Sequence, residues 1–118
     1  MSKYRVERIA EQILRDVTDI VQKDVKDPRV QQVNFTDVNL TGDMQYATIF
    51  YSTLKTDAET KATAEEGLKK ASGLIRSKLA ERLQLFKAPE IEFKRDESIE
   101  YGAHIDALLE KIKHEDKD

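Results

Sequence analysis

The chain has 118 residues, of which 39% are hydrophobic and 36% are charged, with a formal net charge of −3. This length fits one domain with a single hydrophobic core. The absence of cysteine excludes disulfides, thiolate catalysis and cysteine-based metal sites, and no apolar stretch predicts a membrane span or signal peptide, so we expect a cytoplasmic protein without membrane contact.

The first predicted element is an amphipathic helix over residues 4–26. Its apolar residues recur at steps of three and four, which places them in one stripe along the helix. The members of this stripe are Val6, Ile9, Ile13, Val17, Ile20 and Val21. Asp27-Pro28 ends the helix, because a residue that precedes proline is disfavoured in the α conformation.

A β-hairpin is predicted over residues 32–53. The alternation of apolar residues changes phase just after Phe35, which predicts a bulge near Thr36-Asp37. Thr41-Gly42-Asp43 is the predicted turn. Three aromatic side chains lie on the return strand, at Tyr46, Phe50 and Tyr51. We expect them to pack in the core, with stacking on unpaired bases as the alternative.

A second helical region follows and runs to about Leu85. Thr56-Asp57-Ala58-Glu59 resembles a capping box at its start. Ala71-Ser72-Gly73 interrupts the helical pattern, because glycine inside a helix costs roughly 1 kcal/mol relative to alanine. We therefore expect two helical segments that meet at a kink. The glycine there either allows close helix packing or lets a partner approach the backbone.

The region around this glycine is strongly basic. Residues 67–87 carry six basic residues against one acid. Residues 96–118, in contrast, hold three basic and eight acidic residues. A local basic cluster in an acidic chain is typical of a surface that binds a polyanion. The competing interpretation is an ordinary solvated helix surface.

The last predicted elements are a short strand and a short helix. Ala88-Pro89 breaks the preceding helix, and residues 91–93 alternate as in a strand with one solvent-exposed face. Residues 99–112 have helical spacing, and residues 113–118 form a charged tail. We therefore expect one α+β domain over residues 1–112, in which a three-stranded sheet is covered by helices in the order α-β-β-α-kink-α-β.

No pattern in the sequence indicates catalysis or a metal site. His104 and His114 have no third ligand at metal spacing. Asp96 and Glu97 have no neighbouring nucleophile, and they fit a turn or a helix cap better than an acid–base pair. There is no glycine-rich phosphate loop and no Ser/His/Asp pattern. We predict a protein without enzymatic activity, cofactor or metal.

The order of the elements resembles a type II KH domain, a fold that binds RNA backbone with a GxxG loop between two helices. Here Ala71-Ser72-Gly73 stands at the equivalent junction. The chain also resembles the bacterial ribosome-binding factor A family, in which an Ala-x-Gly kink replaces that loop, from about residue 5 to residue 112. Six motifs carry this resemblance in order: Arg5-Val6-Glu7-Arg8-Ile9, Lys26-Asp27-Pro28-Arg29-Val30, Phe35-Thr36-Asp37-Val38, Ala71-Ser72-Gly73-Leu74-Ile75-Arg76-Ser77, Ala88-Pro89-Glu90-Ile91-Glu92-Phe93 and Asp96-Glu97-Ser98-Ile99-Glu100-Tyr101-Gly102.

The resemblance implies a KH-like fold and a cytoplasmic assembly factor that is not an enzyme. Such a factor binds the free 30S subunit and its 16S rRNA and supports late small-subunit maturation and 16S rRNA processing, including in the cold. Assembly GTPases and small-subunit proteins are further candidate partners, and we expect a monomer. The alternative is a KH-like protein-interaction module without direct nucleic-acid contact, which the overall acidity favours.

The candidate RNA-binding residues are the basic and kink positions together with two arginines of the first helix: Lys69, Lys70, Ser72, Gly73, Arg76, Lys78, Arg82, Arg5 and Arg8. On an ideal helix Lys69 and Arg76 share one face, while Lys78 and Arg82 share another. Arg5 and Arg8 share a face of the first helix. Ordinary surface charge is the competing interpretation for these two.

Overall fold

The computed structural model describes residues 3–84 and 88–97. In chain order its elements are α1 (Lys3–Asp24), α2 (Pro28–Gln31), β1 (Val33–Leu40), β2 (Tyr46–Thr53), α3 (Ala58–Leu83) and β3 (Glu90–Arg95). The predicted α+β class and the three-stranded sheet are confirmed, and α2 is an element that the sequence pattern did not predict. The predicted C-terminal helix over residues 99–112 and the tail over residues 113–118 lie outside the described residues.

The sheet has the strand order β1-β2-β3, so β2 lies in the centre. β1 and β2 pair antiparallel, and their register shifts between Phe35 and Asp37, which confirms the predicted bulge. β2 and β3 pair parallel. Since parallel strands need a long crossover connection, the position of α3 between them in the chain follows from the sheet topology.

The core lies between one face of the sheet and the two long helices. Alternate residues of β2 are buried from Ala47 to Thr53. They cluster with buried residues of α1 and α3 that recur at helical spacing: Ile13, Val17, Ile20, Leu68, Ile75 and Leu79. Tyr51 lies in this core as expected and is 4% exposed, whereas Tyr46 is 53% exposed, so the expected core packing is wrong for Tyr46.

The Asp-Pro pair after α1 starts a second, short helix. α1 ends at Asp24, and Asp27 is the N-cap of α2. The Asp27 carboxylate accepts a hydrogen bond from the Arg29 backbone N–H at 2.9 Å and from Arg29 Nη2 at 2.6 Å. Pro28 fits the first turn, where a missing N–H costs no helical hydrogen bond.

Asp27 makes the stability of this turn depend on pH. Its pKa is lowered from 3.8 to about 2, because hydrogen bonds from Arg29 and the nearby charges of Arg29 and Lys70 favour the carboxylate. A depressed folded-state pKa contributes stability above the unfolded pKa, and this contribution is lost as the pH falls through the folded pKa. Asparagine retains the cap but lacks the charge. We therefore expect the unfolding free energies of the unchanged protein and Asp27→Asn to differ near neutral pH and to converge between about pH 4 and about pH 2 in urea titrations. A difference that stays constant over this range would contradict the assignment.

α3 is one continuous helix of 26 residues, so the predicted division into two helices at Ala71-Ser72-Gly73 is wrong. The Ser72 hydroxyl donates to the Lys69 carbonyl oxygen at 2.8 Å and is satisfied within the helix. The start of the helix also differs from the prediction, because Asp57 is the N-cap and accepts from the Thr60 backbone N–H at 3.1 Å. The propensity cost of one glycine, about 1 kcal/mol, is smaller than the gain from burying several apolar side chains at about 1.5–3 kcal/mol each.

Candidate nucleic-acid interface

The outer side of α3 gathers three of the predicted RNA-binding cations around Gly73. Residues three and four apart are neighbours on a continuous helix. Lys69 and Lys70 therefore lie one turn before Gly73, and Arg76 lies one turn after it. Both lysines and the glycine are exposed. We call Lys69, Lys70, Gly73 and Arg76 the α3 basic surface.

Gly73 has an open environment. A Cβ at position 73 would have no atom outside its own stretch of helix within 4 Å among the described residues. The backbone φ of Gly73 is not positive. A Cβ at Gly67 would instead lie 3.0 Å from both Arg29 Cβ and Val30 Cγ1. Within the described part of the chain, Gly67 is therefore the glycine that allows close packing, of α2 against α3. The sequence pattern had suggested this role for Gly73.

The two lysines of the α3 basic surface are available to a ligand. Lys69 makes no side-chain hydrogen bond or ion pair with the residues that the structure describes, and Lys70 acts only at a distance by lowering the pKa of Asp27. Arg76 is half-buried, and its Nη2 donates to the Ala88 carbonyl oxygen at 3.3 Å. This bond tethers the segment before β3, and the guanidinium has further N–H groups for a ligand.

Lys78 and Arg82 do not belong to the α3 basic surface. Lys78 lies about 180° around the helix from Lys69 and is half-buried. Arg82 Nη2 lies 2.7 Å from Asp19 Oδ2, and Arg82 Nη1 lies 3.6 Å from Asp16 Oδ1. Arg82 therefore ties the end of α3 to α1.

Ser72 lies beside the α3 basic surface, toward β3. It lines a groove of about 310 Å³ together with Lys69, Tyr51 and Phe93. The groove combines apolar and polar side chains, and its charged lining consists of Lys69, Glu65 and Glu92. No spacing in the sequence could reveal it, because its walls come from elements far apart in the chain.

Arg5 and Arg8 lie away from the α3 basic surface. They line a groove of about 780 Å³ between the first half of α1 and the end of α3, and Arg15 and Arg82 line the same groove. The structure thus groups Arg82 with the α1 arginines instead of with its neighbours in sequence. Only the three-residue spacing of Arg5 and Arg8 indicated a shared surface, and it gave no sign that Arg82 would join them.

The described residues contain neither a cluster of metal-binding side chains nor a membrane-spanning helix. Among residues 3–84 and 88–97, no three metal-binding side chains lie together. No helix in those ranges is long and apolar enough to span a bilayer. Asp96 accepts a hydrogen bond from Thr36 Oγ1 at 2.6 Å, as expected for a residue that fixes a strand end. His104 and His114 lie outside the described ranges.

The sequence is similar to known proteins of one family. The family model for ribosome-binding factor A matches residues 5–109. The ribosome-binding factor A of Enterococcus faecalis is 51% identical over 112 residues, which cover 95% of this chain and 97% of that protein.

Solved structures agree in fold. The solution structure of a candidate ribosome binding factor A from Thermotoga maritima is 34% identical, with a TM-score of 0.71 over 83% of this chain and 92% of that one. A Thermus thermophilus ribosome binding factor A homology model, fitted into a cryo-EM map of its 30S complex, is 20% identical, with a TM-score of 0.64 over 78% and 96%. These neighbours confirm the KH-like fold. With the family model matched over most of its length and about half of its residues shared with a relative, this chain belongs to the ribosome-binding factor A family.

Proposed function

We propose that this protein is a cytoplasmic assembly factor that binds free 30S subunits through 16S rRNA. It acts late in small-subunit maturation and 16S rRNA processing, including in the cold, and its role is binding without catalysis. The observation that carries this proposal is the α3 basic surface, where three cations surround an exposed glycine. The Thermus thermophilus relative, fitted into a map of a 30S complex, supports the choice of partner. Assembly GTPases and small-subunit proteins are further proposed partners of the same monomer.

The continuity of α3 decides which groups would hold the RNA. A helix N-terminus binds anions through backbone N–H groups that lack a partner. At Gly73 these groups are engaged within the helix, because α3 continues through it. Side-chain cations must therefore supply the attraction. Gly73 supplies clearance, since it leaves space for a phosphate between the two lysines on one side and Arg76 on the other.

Binding of this kind depends on the shape and charge of the RNA more than on its base sequence. Lysine ammonium groups bind phosphates as point charges, and phosphate contacts position a protein without specifying bases. The described residues present no RRM-type aromatic motif on the sheet. We therefore assign specificity to the fold of the rRNA surface and to neighbouring ribosomal proteins.

Co-sedimentation tests the proposal directly. The unchanged protein should pellet with free 30S subunits and not with 70S ribosomes. Three phosphate contacts predict that the logarithm of affinity falls with the logarithm of salt concentration with a slope of about −2 to −3. Failure to pellet with free 30S subunits at low salt would contradict the proposal.

A protein-interaction module is the second candidate function. Leu74 follows Gly73 directly and is 43% exposed, so the same side of α3 offers an apolar contact to a protein. This interpretation also agrees with the overall net charge of −3. It predicts that 30S binding is nearly independent of salt, which separates it from RNA binding in the same experiment.

A further inference from the structure

The groove between α1 and α3 is strongly cationic. Its basic lining comes from two elements that are distant in sequence: Arg5, Arg8 and Arg15 from α1, and Arg82 from α3. One acid, Glu11, also lines it. Arg82 lies about 18 Å along the α3 axis from Lys70. One phosphate therefore cannot contact both this groove and the α3 basic surface.

Ion pairs fix one wall of the groove. Arg82 is held by Asp19 at 2.7 Å and by Asp16 at 3.6 Å, so much of its charge is balanced inside the protein. Asp16 itself is only 8% exposed. The other basic residues of the lining, Arg5, Arg8 and Arg15, all belong to α1 and face this fixed end of α3 across the groove.

Tyr4 adds an aromatic surface to the same groove. Its side chain is 69% exposed and lines the groove. The Arg8 guanidinium lies 5.7 Å from the centre of the Tyr4 ring, a cation–π contact that orients the ring. An exposed aromatic ring among cations is the combination with which proteins bind unpaired nucleotides, since bases stack on the ring while phosphates contact the cations.

We propose that this arginine groove is a second RNA-binding site that takes a single-stranded segment. Arginines of α1 contact its phosphates, and one unpaired base stacks on Tyr4. Guanidinium groups suit phosphates because their planar forks donate two parallel hydrogen bonds. An acidic peptide could use the same arginines but would leave the exposed ring unused. This inference rests on the proposed function because it takes RNA as the partner. The arginine groove and the α3 basic surface are nevertheless tested by separate variants.

Anisotropy of a short fluorescein-labelled single-stranded RNA tests the groove on the full chain. Arg5→Gln/Arg8→Gln should reduce the slope of log affinity against log salt by about 1.4, since each phosphate contact contributes about 0.7 in single strands. Tyr4→Leu should weaken binding at least about fivefold with the slope unchanged. The matched control Lys55→Gln/Lys94→Gln removes the same charge from exposed positions outside the groove and should leave the affinity within about twofold. Circular dichroism verifies that each variant is folded.

Three results would overturn the inference. The first is an equal loss in the control, which would indicate only a diffuse positive field. The second is unchanged RNA binding by Tyr4→Leu, which would remove the stacked base. The third is a loss of binding to a glutamate-rich peptide but not to RNA in Arg5→Gln/Arg8→Gln, which would assign the groove to an acidic protein. Failure of the groove leaves the proposed function intact as long as the unchanged protein still pellets with free 30S subunits in a salt-dependent way.

Discussion

The double variant Lys69→Glu/Lys70→Glu is expected to bind free 30S subunits about 100-fold more weakly than the unchanged protein at 0.1 M salt. Each phosphate contact contributes about one decade of affinity at that concentration, because its counterion-release slope is about 0.9. Both lysines are exposed and lie next to Gly73 on the α3 basic surface. The slope against salt should fall by about 1.8. Co-sedimentation across a salt series measures both quantities.

The control for this variant is Lys55→Glu/Lys94→Glu. It changes the net charge by the same amount at exposed lysines of the β2–α3 loop and of β3. We expect this control to retain most of its affinity for 30S subunits. If the two double variants lost affinity equally, the α3 basic surface would have no special role. Binding would then depend on the overall charge of the protein.

A leucine at Gly73 is expected to separate binding from folding. Leucine is a better helix former than glycine, and a Cβ at this open position would contact no described atom outside its own stretch of helix. The free energy of unfolding should therefore rise by about 0.5–1 kcal/mol. The same side chain would stand where a phosphate or partner backbone has to approach. Overfilling a tight contact costs about 1–3 kcal/mol, so 30S affinity should fall about 5- to 150-fold.

Gly67→Leu is the matched control, and we expect it to lower the free energy of unfolding instead of raising it. Its Cβ alone would lie 3.0 Å from Arg29 Cβ and Val30 Cγ1, so a larger side chain must push α2 from α3 and lower stability by about 1–3 kcal/mol. Urea unfolding measures the stability of the two glycine variants, and co-sedimentation measures their affinity for 30S subunits. If Gly73→Leu bound 30S subunits with unchanged affinity, no partner would approach the helix at that position.

The sequence predicted most of the fold because its patterns are local. The phase change after Phe35 located the bulge, and the stripe of α1 located the buried face. The predicted break at Gly73 failed because the stability of α3 is decided by tertiary packing. Leu68 and Ile75, which flank the glycine, are 1% and 0% exposed. Burial of such residues keeps the helix intact where the local propensity alone predicts an interruption.

The site could be predicted only in part. Sequence proximity grouped five cations of residues 69–82, and helical geometry then divides them, with Lys78 about 180° from Lys69. The partner of Arg82 could not be inferred, because Asp19 lies on another helix and nothing in the spacing of the chain relates the two. The arginine groove was missed for the same reason. Its walls meet only when α1 and α3 pack together.

The parallel pairing of β2 with β3 also sets the order in which the protein can fold. β1 and β2 are joined by residues 41–45, whereas residues 54–89 separate β2 from β3. Closing the longer connection costs more chain entropy, and pairings between distant segments form slowly. We therefore expect the hairpin to form first and β3 to dock last, after α3 has formed. A growing chain would then display its cationic helix before its sheet is complete.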